Sequence, residues 1–74
     1  MRFYGLVTLK RKNSEDTEFY IYERYQNAVD LLTQAAIHGD WKVIYQIGIH
    51  TAWETKEGHT ISVMGRTEGG FKLP

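Results

Sequence analysis

The chain reads as a small α+β domain: a four-stranded antiparallel sheet with one helix on one face, in the order ββαββ. Three observations carry this reading. The segments FYGLVTL (residues 3–9) and TEFYIYE (17–23) are rich in strand formers and flank a short polar loop. NAVDLLTQAAIHGD (27–40) repeats its apolar residues at helical spacing. WKVIYQIGIHTAWET (41–55) and HTISVMGRT (59–67) alternate as strands around KEG (56–58).

The first two strands form a hairpin. Its loop is expected at Lys12 to Asp16, which sets Leu9 near Phe19 and Val7 near Ile21 on one face. The following helix is expected to start at Asn27, whose side chain can accept a free backbone N–H of the first turn. Asp30 adds negative charge near the positive end of the helix dipole. Ala28, Val29, Leu32, Ala35 and Ala36 share one narrow stripe, and Gly39 is the expected terminator in the left-handed conformation. His38 lies in the last turn.

In the long third segment, Trp41, Val43, Tyr45, Ile47, Ile49 and Trp53 occupy odd positions, so the segment reads as one continuous strand with these side chains inward. Strand parity then fixes the last hairpin. A three-residue loop, Lys56-Glu57-Gly58, puts Trp53 opposite Ile61 and Thr51 opposite Val63. It also puts Gly58 where a type I turn with a bulge needs a left-handed residue.

The helical crossover makes the second and third strands run the same way. A fully antiparallel sheet follows if the third strand lies beside the first, giving the spatial order 2-1-3-4. The helix-covered face would hold Phe3, Val7, Leu9, Phe19, Ile21, Val43, Tyr45, Ile47, Ile49, Ile61 and Val63. The chain as a whole, residues 1–74, reads as one domain with a flexible tail at 69–74.

The other face is unusual for one meant only for water. It would carry Tyr4, Leu6, Tyr20, Tyr22, Ile44, His50, Met64 and Arg66, together with Thr8, Lys10, Gln46 and Ser62. Such a concentration of aromatic and apolar groups suggests a contact patch of several hundred Å². The first eight of these residues are the expected partner-binding set. Tyr20 and Tyr22 have a second claim, because they sit on an expected edge strand whose free backbone groups can extend a sheet into another chain.

Composition narrows the function classes. Nine basic and nine acidic residues give a formal net charge of zero, which suits neither a strongly basic nucleic-acid binder nor an acidic DNA mimic. There is no cysteine, so disulfides and thiolate metal sites are excluded, and a reducing, cytoplasmic compartment is expected. The N-terminal residues read as a strand rather than a signal peptide, and no apolar run approaches the ~20 residues of a membrane span. A chain of this size buries only ~60–65% of its unfolded surface, so a partner subunit is a natural source of extra stability.

No catalytic constellation stands out. His38, His50 and His59 fall on separate elements and read as solvated or capping groups rather than metal ligands. MGRTEGG lacks the lysine and the strand-to-helix setting of a phosphate loop. No cofactor or metal is therefore expected, and the chain reads as a non-enzymatic protein-binding or accessory module that self-associates or holds another protein. Its size suits the small regulators and inhibitors of bacteria and phages. The alternative is a single-stranded nucleic-acid binder, with Tyr4, Tyr20 and Tyr22 stacking on bases and Arg2, Lys10, Lys42 and Arg66 meeting phosphates.

Overall fold

The computed structural model describes residues 3–67. Five strands and one helix follow in the order β1 (Phe3–Lys10), β2 (Thr17–Tyr22), α1 (Tyr25–Gly39), β3 (Lys42–Ile47), β4 (His50–Glu54) and β5 (Thr60–Thr67). The α+β class and the antiparallel sheet agree with the sequence reading. The strand count does not: the sheet has five strands in the order β2-β1-β5-β4-β3. The expected tail at 69–74 lies outside the described residues.

The extra strand arises inside the long third segment. Gly48 has φ 57°, and Ile47 pairs directly with His50. A two-residue turn at Gly48-Ile49 therefore folds that segment into a β3–β4 hairpin. Positive φ at the first central position is the type II′ pattern, which favours glycine there. The register also shifts between Val43 and Tyr45, with Ile44 as the extra residue of a bulge. Bulge and turn together move Tyr45 and Ile47 off the helix-covered face.

The added hairpin also changes the sheet order. β3 takes the outer edge, β4 lies beside it, and β5 returns to pair with β1 along its full length, from Phe3↔Thr67 to Lys10↔Thr60. HTISVMGRT is thus a central strand rather than an edge. The edges are β2, as expected, and β3. The β4–β5 register matches the sequence reading: Trp53 faces Ile61 and Thr51 faces Val63. Gly58 has φ 90°, and its N–H donates to the Thr55 carbonyl at 2.9 Å, closing the expected turn.

The first hairpin differs by one residue. Lys10 pairs with Thr17, so the loop runs over residues 11–16, with Asn13 at φ 68° and the Ser14 N–H on the Arg11 carbonyl at 3.1 Å. Val7 then faces Tyr20 and Gly5 faces Tyr22, rather than Val7 facing Ile21. A slip of one residue exchanges the two faces of a strand. Tyr20 and Tyr22 therefore lie on the helix side of β2, and Phe19 and Ile21 on the other side.

The core sits between α1 and the centre of the sheet. Val7, Ala28, Ala36, Trp53 and Val63 are buried together, and Tyr22, Tyr25, Val29, Leu32, Trp41 and Ile61 pack around them. The predicted small-residue stripe is what allows this close seating: a Cβ on Gly5 would stand only 2.8 Å from the Ala28 Cβ. The helix ends differ from expectation. Arg24 is the N-cap, without a side-chain capping bond, and Asn27 falls inside the first turn. Asp40, not Gly39, takes the left-handed conformation at φ 55°. Trp41 then donates its N–H to the Ala36 carbonyl at 2.9 Å, the long-range bond of a Schellman ending. Gly39 is small for a different reason, because the Trp41 indole occupies the space of a side chain there.

Candidate interaction face

One helix cannot cover five strands. It lies over β1 and β5 with a lesser reach to β2, and no described element lies over the opposite face. The pairing registers define what that face presents, because directly paired residues project to the same side. Three cross-strand rows run across it.

The first row is Ile21, Leu6, Met64, His50 and Ile47, one residue from each strand in spatial order. Every member except His50 is aliphatic or a thioether. Ile47 is 73% exposed and Ile21 45%. The second row is Phe19, Thr8, Ser62, Ala52 and Tyr45. Large exposed rings at both edges thus flank small central residues, of which Ser62 and Ala52 are buried. Between the rings the Thr8 and Ser62 hydroxyls hydrogen-bond at 2.5 Å, so their polar atoms are mutually satisfied. The third row is Thr17, Lys10, Thr60, Glu54 and Lys42, a polar border at one end. At the other end Tyr4 and Arg66 pair across β1 and β5.

The β3–β4 side of the face is fixed by an aromatic contact. The Tyr45 ring meets the His50 imidazole edge-on with centroids 5.0 Å apart, and Tyr45 Oη lies 3.0 Å from His50 Nε2. This orders two large side chains at the surface, which lowers the entropy lost when a partner covers them.

Five of the eight residues expected at a partner surface lie on this face: Tyr4, Leu6, His50, Met64 and Arg66. Tyr20 and Tyr22 do not, because of the register of the first hairpin. Tyr22 packs against the core instead. Tyr20 donates its hydroxyl to Glu18 Oε1 at 2.7 Å, and Glu18 Oε2 accepts from Arg11 Nε at 2.9 Å. This exposed network on the helix side of β2 holds the Glu18 carboxyl below its usual range, first through the Tyr20 hydroxyl and then through Arg11. The same bond raises the Tyr20 phenol. Ile44 sits at the β3 bulge, outside the rows.

The sequence reading missed Phe19, Ile21, Tyr45 and Ile47, all assigned inward. The usable signal for the last two was Gly48, since a glycine within a strand pattern marks a bulge or turn. Among the described residues no group of three or more histidine or carboxylate side chains converges to hold a metal ion. No described helix is long and apolar enough to cross a membrane.

Comparison with known proteins finds no matching family model, no matching curated protein and no matching solved structure.

Proposed function

We propose that the protein is a non-enzymatic binding module that docks a protein surface on the open face of its sheet. The observation that supports this most is the apolar row Ile21–Leu6–Met64–His50–Ile47, continuous across all five strands. Large contiguous apolar patches are uncommon on soluble monomers and mark contact sites. The adjoining row extends the patch with Phe19 and Tyr45, two exposed rings at the sheet edges. Small size and the lack of cysteine fit a cytoplasmic regulator or inhibitor of the kind found in bacteria and their phages.

The reading is tested with the double variant Ile21→Asp/Ile47→Asp. Both positions are exposed, so the fold is expected to survive. In extract from cells that naturally make the protein, the unmodified chain should elute in a species larger than a monomer. The folded double variant should elute as a monomer. Equal elution of the two proteins would contradict the proposal.

A second reading rests on Phe19 and Tyr45, two exposed rings on a sheet whose ends carry Lys10, Lys42 and Arg66. Such a face can stack single-stranded nucleic acid. Glu54 within the charged row and the zero net charge weigh against it. Binding to single-stranded oligonucleotides should be weak at ~0.15 M salt and should fall steeply as salt rises. Submicromolar, sequence-selective binding under those conditions would favour this second reading.

A further inference from the structure

We infer that the occupant of the open face is a second copy of this chain, packed sheet to sheet about a two-fold axis running along β5. The inference rests on the reading of that face as a protein-docking surface and commits it to one partner.

The open face is self-complementary about such an axis. β5 is the middle of the five strands in the order β2-β1-β5-β4-β3. A two-fold along β5 lays one open face on another, sets β1 against β4 of the partner subunit, and sets β2 against its β3. Each cross-strand row then meets itself in reverse order. In the polar row, Lys10 faces Glu54 of the partner subunit, and Glu54 faces the partner's Lys10. Two unlike-charge pairs form from one contact, as an isologous interface requires. Lys42 meets the neutral Thr17 of the partner subunit, so no like charges are opposed within this row; at the far end of β5, Arg66 meets its own copy at the rim of the interface.

The other rows fit the same operation. Met64 meets its own copy at the centre. Ile21 and Ile47 of opposite subunits meet at the edges, and Leu6 lies against the partner's His50. In the second row, Phe19 meets the partner's Tyr45. A two-fold across the strands instead brings the polar row against Tyr4 and Arg66, where Lys10 finds no carboxylate.

Within one chain Lys10 and Glu54 stand on either side of Thr60, and among the described residues neither forms an ion pair. Stacked sheets lie ~10 Å apart, a gap that facing lysine and glutamate side chains can bridge. Size is adequate too. Five strands at ~4.8 Å spacing and four levels of outward residues give a projected footprint of roughly 500 Å², and more as accessible surface. Specific interfaces begin at ~600 Å² per partner.

The experiment is charge reversal read by sedimentation equilibrium at ~0.15 M salt. The unmodified chain should be a dimer. Lys10→Glu alone places two carboxylates against the partner's Glu54 residues, and Glu54→Lys alone places two ammonium groups against its Lys10 residues. Each should raise the dimer dissociation constant by about tenfold or more, because like charges are then juxtaposed. An equimolar mixture of the two variants should recover the dimer, since both contacts again pair unlike charges. The double variant Lys10→Glu/Glu54→Lys should recover it as well, which guards against a trivial loss of folding. A monomeric unmodified chain at ~100 µM, well above typical specific affinities, would overturn the inference while leaving open-face docking of another protein to its own test. A dimer insensitive to both reversals, or a mixture that stays monomeric, would also overturn it.

Discussion

Tyr20 lies directly across from Val7. Val7 is buried against α1, so this pairing turns Tyr20 and Tyr22 toward the helix side and gives Phe19 and Ile21 to the open face. The two kinds of side chain in EFYIYE thus have separate tasks. Tyr22 closes the flank of a small core, and Tyr20 is held by Glu18. Phe19 and Ile21 end two apolar-rich rows of the candidate interaction face. An edge strand with ring or aliphatic groups on both sides is explained without placing all four in one patch.

Burial separates two large apolar residues that the alternation pattern treats alike. Trp53 is 5% exposed and Ile47 73%. Trp53→Ala should cost ~3–5 kcal/mol, as large-to-small core changes do, and in so small a domain should nearly abolish folding. Ile47→Ala should change the stability of the monomer by no more than about 0.5 kcal/mol. Urea denaturation at low protein concentration checks both, and a large loss for Ile47→Ala would return that residue to the core.

Two glycines hold turns through positive φ. At Gly48 a Cβ would meet no atom within 4 Å, so Gly48→Ala should cost only backbone strain, ~1–3 kcal/mol. At Gly58 a Cβ would also come within 2.9 Å of Lys12 Cδ, the far part of a flexible side chain that can swing away. Gly58→Val should therefore destabilise more than Gly58→Asn, because asparagine tolerates positive φ and a β-branched residue does not. Thermal melts of the two variants give the ranking, and the reverse order would refute the turn geometry.

The Arg11–Glu18–Tyr20 network makes a prediction about titration. Its bond to Glu18 raises the Tyr20 phenol, so Glu18→Gln should let Tyr20 ionise at a lower pH in an ultraviolet titration. The Glu18 carboxyl is lowered on folding. Its contribution to stability is thus present above the unfolded carboxylate range and is lost as pH falls through the lower, folded value. The stability gap between the parent chain and Glu18→Gln should close on acidification through that window, and a gap that widened would reverse the sign of the argument.

The tips of the two hairpins are tied together. The Lys12 N–H donates to His59 Nδ1 at 3.0 Å, and the His59 N–H donates to Thr55 Oγ1 at 3.1 Å. His59→Ala removes the acceptor for Lys12. Its amide should exchange with solvent faster in the variant, while the Val63 amide in the central strand should be little changed. Unaltered exchange at Lys12 would show that the contact does not order the loop.

Much of the fold is legible where one face is apolar and the other is not. The α1 stripe and the β4–β5 register follow from such contrast. The pattern fails in β2 and β3, where both faces carry large apolar groups. Alternation then no longer distinguishes inside from outside, and register passes to the turns. One extra loop residue before β2, with Asn13 at positive φ, suffices to exchange its faces. In β3 a bulge and the Gly48 turn each change the parity, so Val43 and Trp53 stay inward while Tyr45 and Ile47 do not. The misplaced residues are thus Phe19, Ile21, Tyr45 and Ile47 of the interaction face and Tyr20 and Tyr22 on the helix side, because an apolar outer surface is what confuses an apolar inner one.

The central claim is that the open face, not the helix side, meets a partner. Hydroxyl-radical labelling read by mass spectrometry tests it with controls inside the same molecule. Leu31 and Ile37 on the outer side of α1 are 53% and 67% exposed, close to Ile21 and Phe19 at 45% and 63%. Labelling in cells that naturally make the protein should modify Leu31 and Ile37 readily, while Phe19, Ile21, Met64 and Ile47 are protected together. Labelling of those four in step with Leu31 and Ile37 would contradict the account.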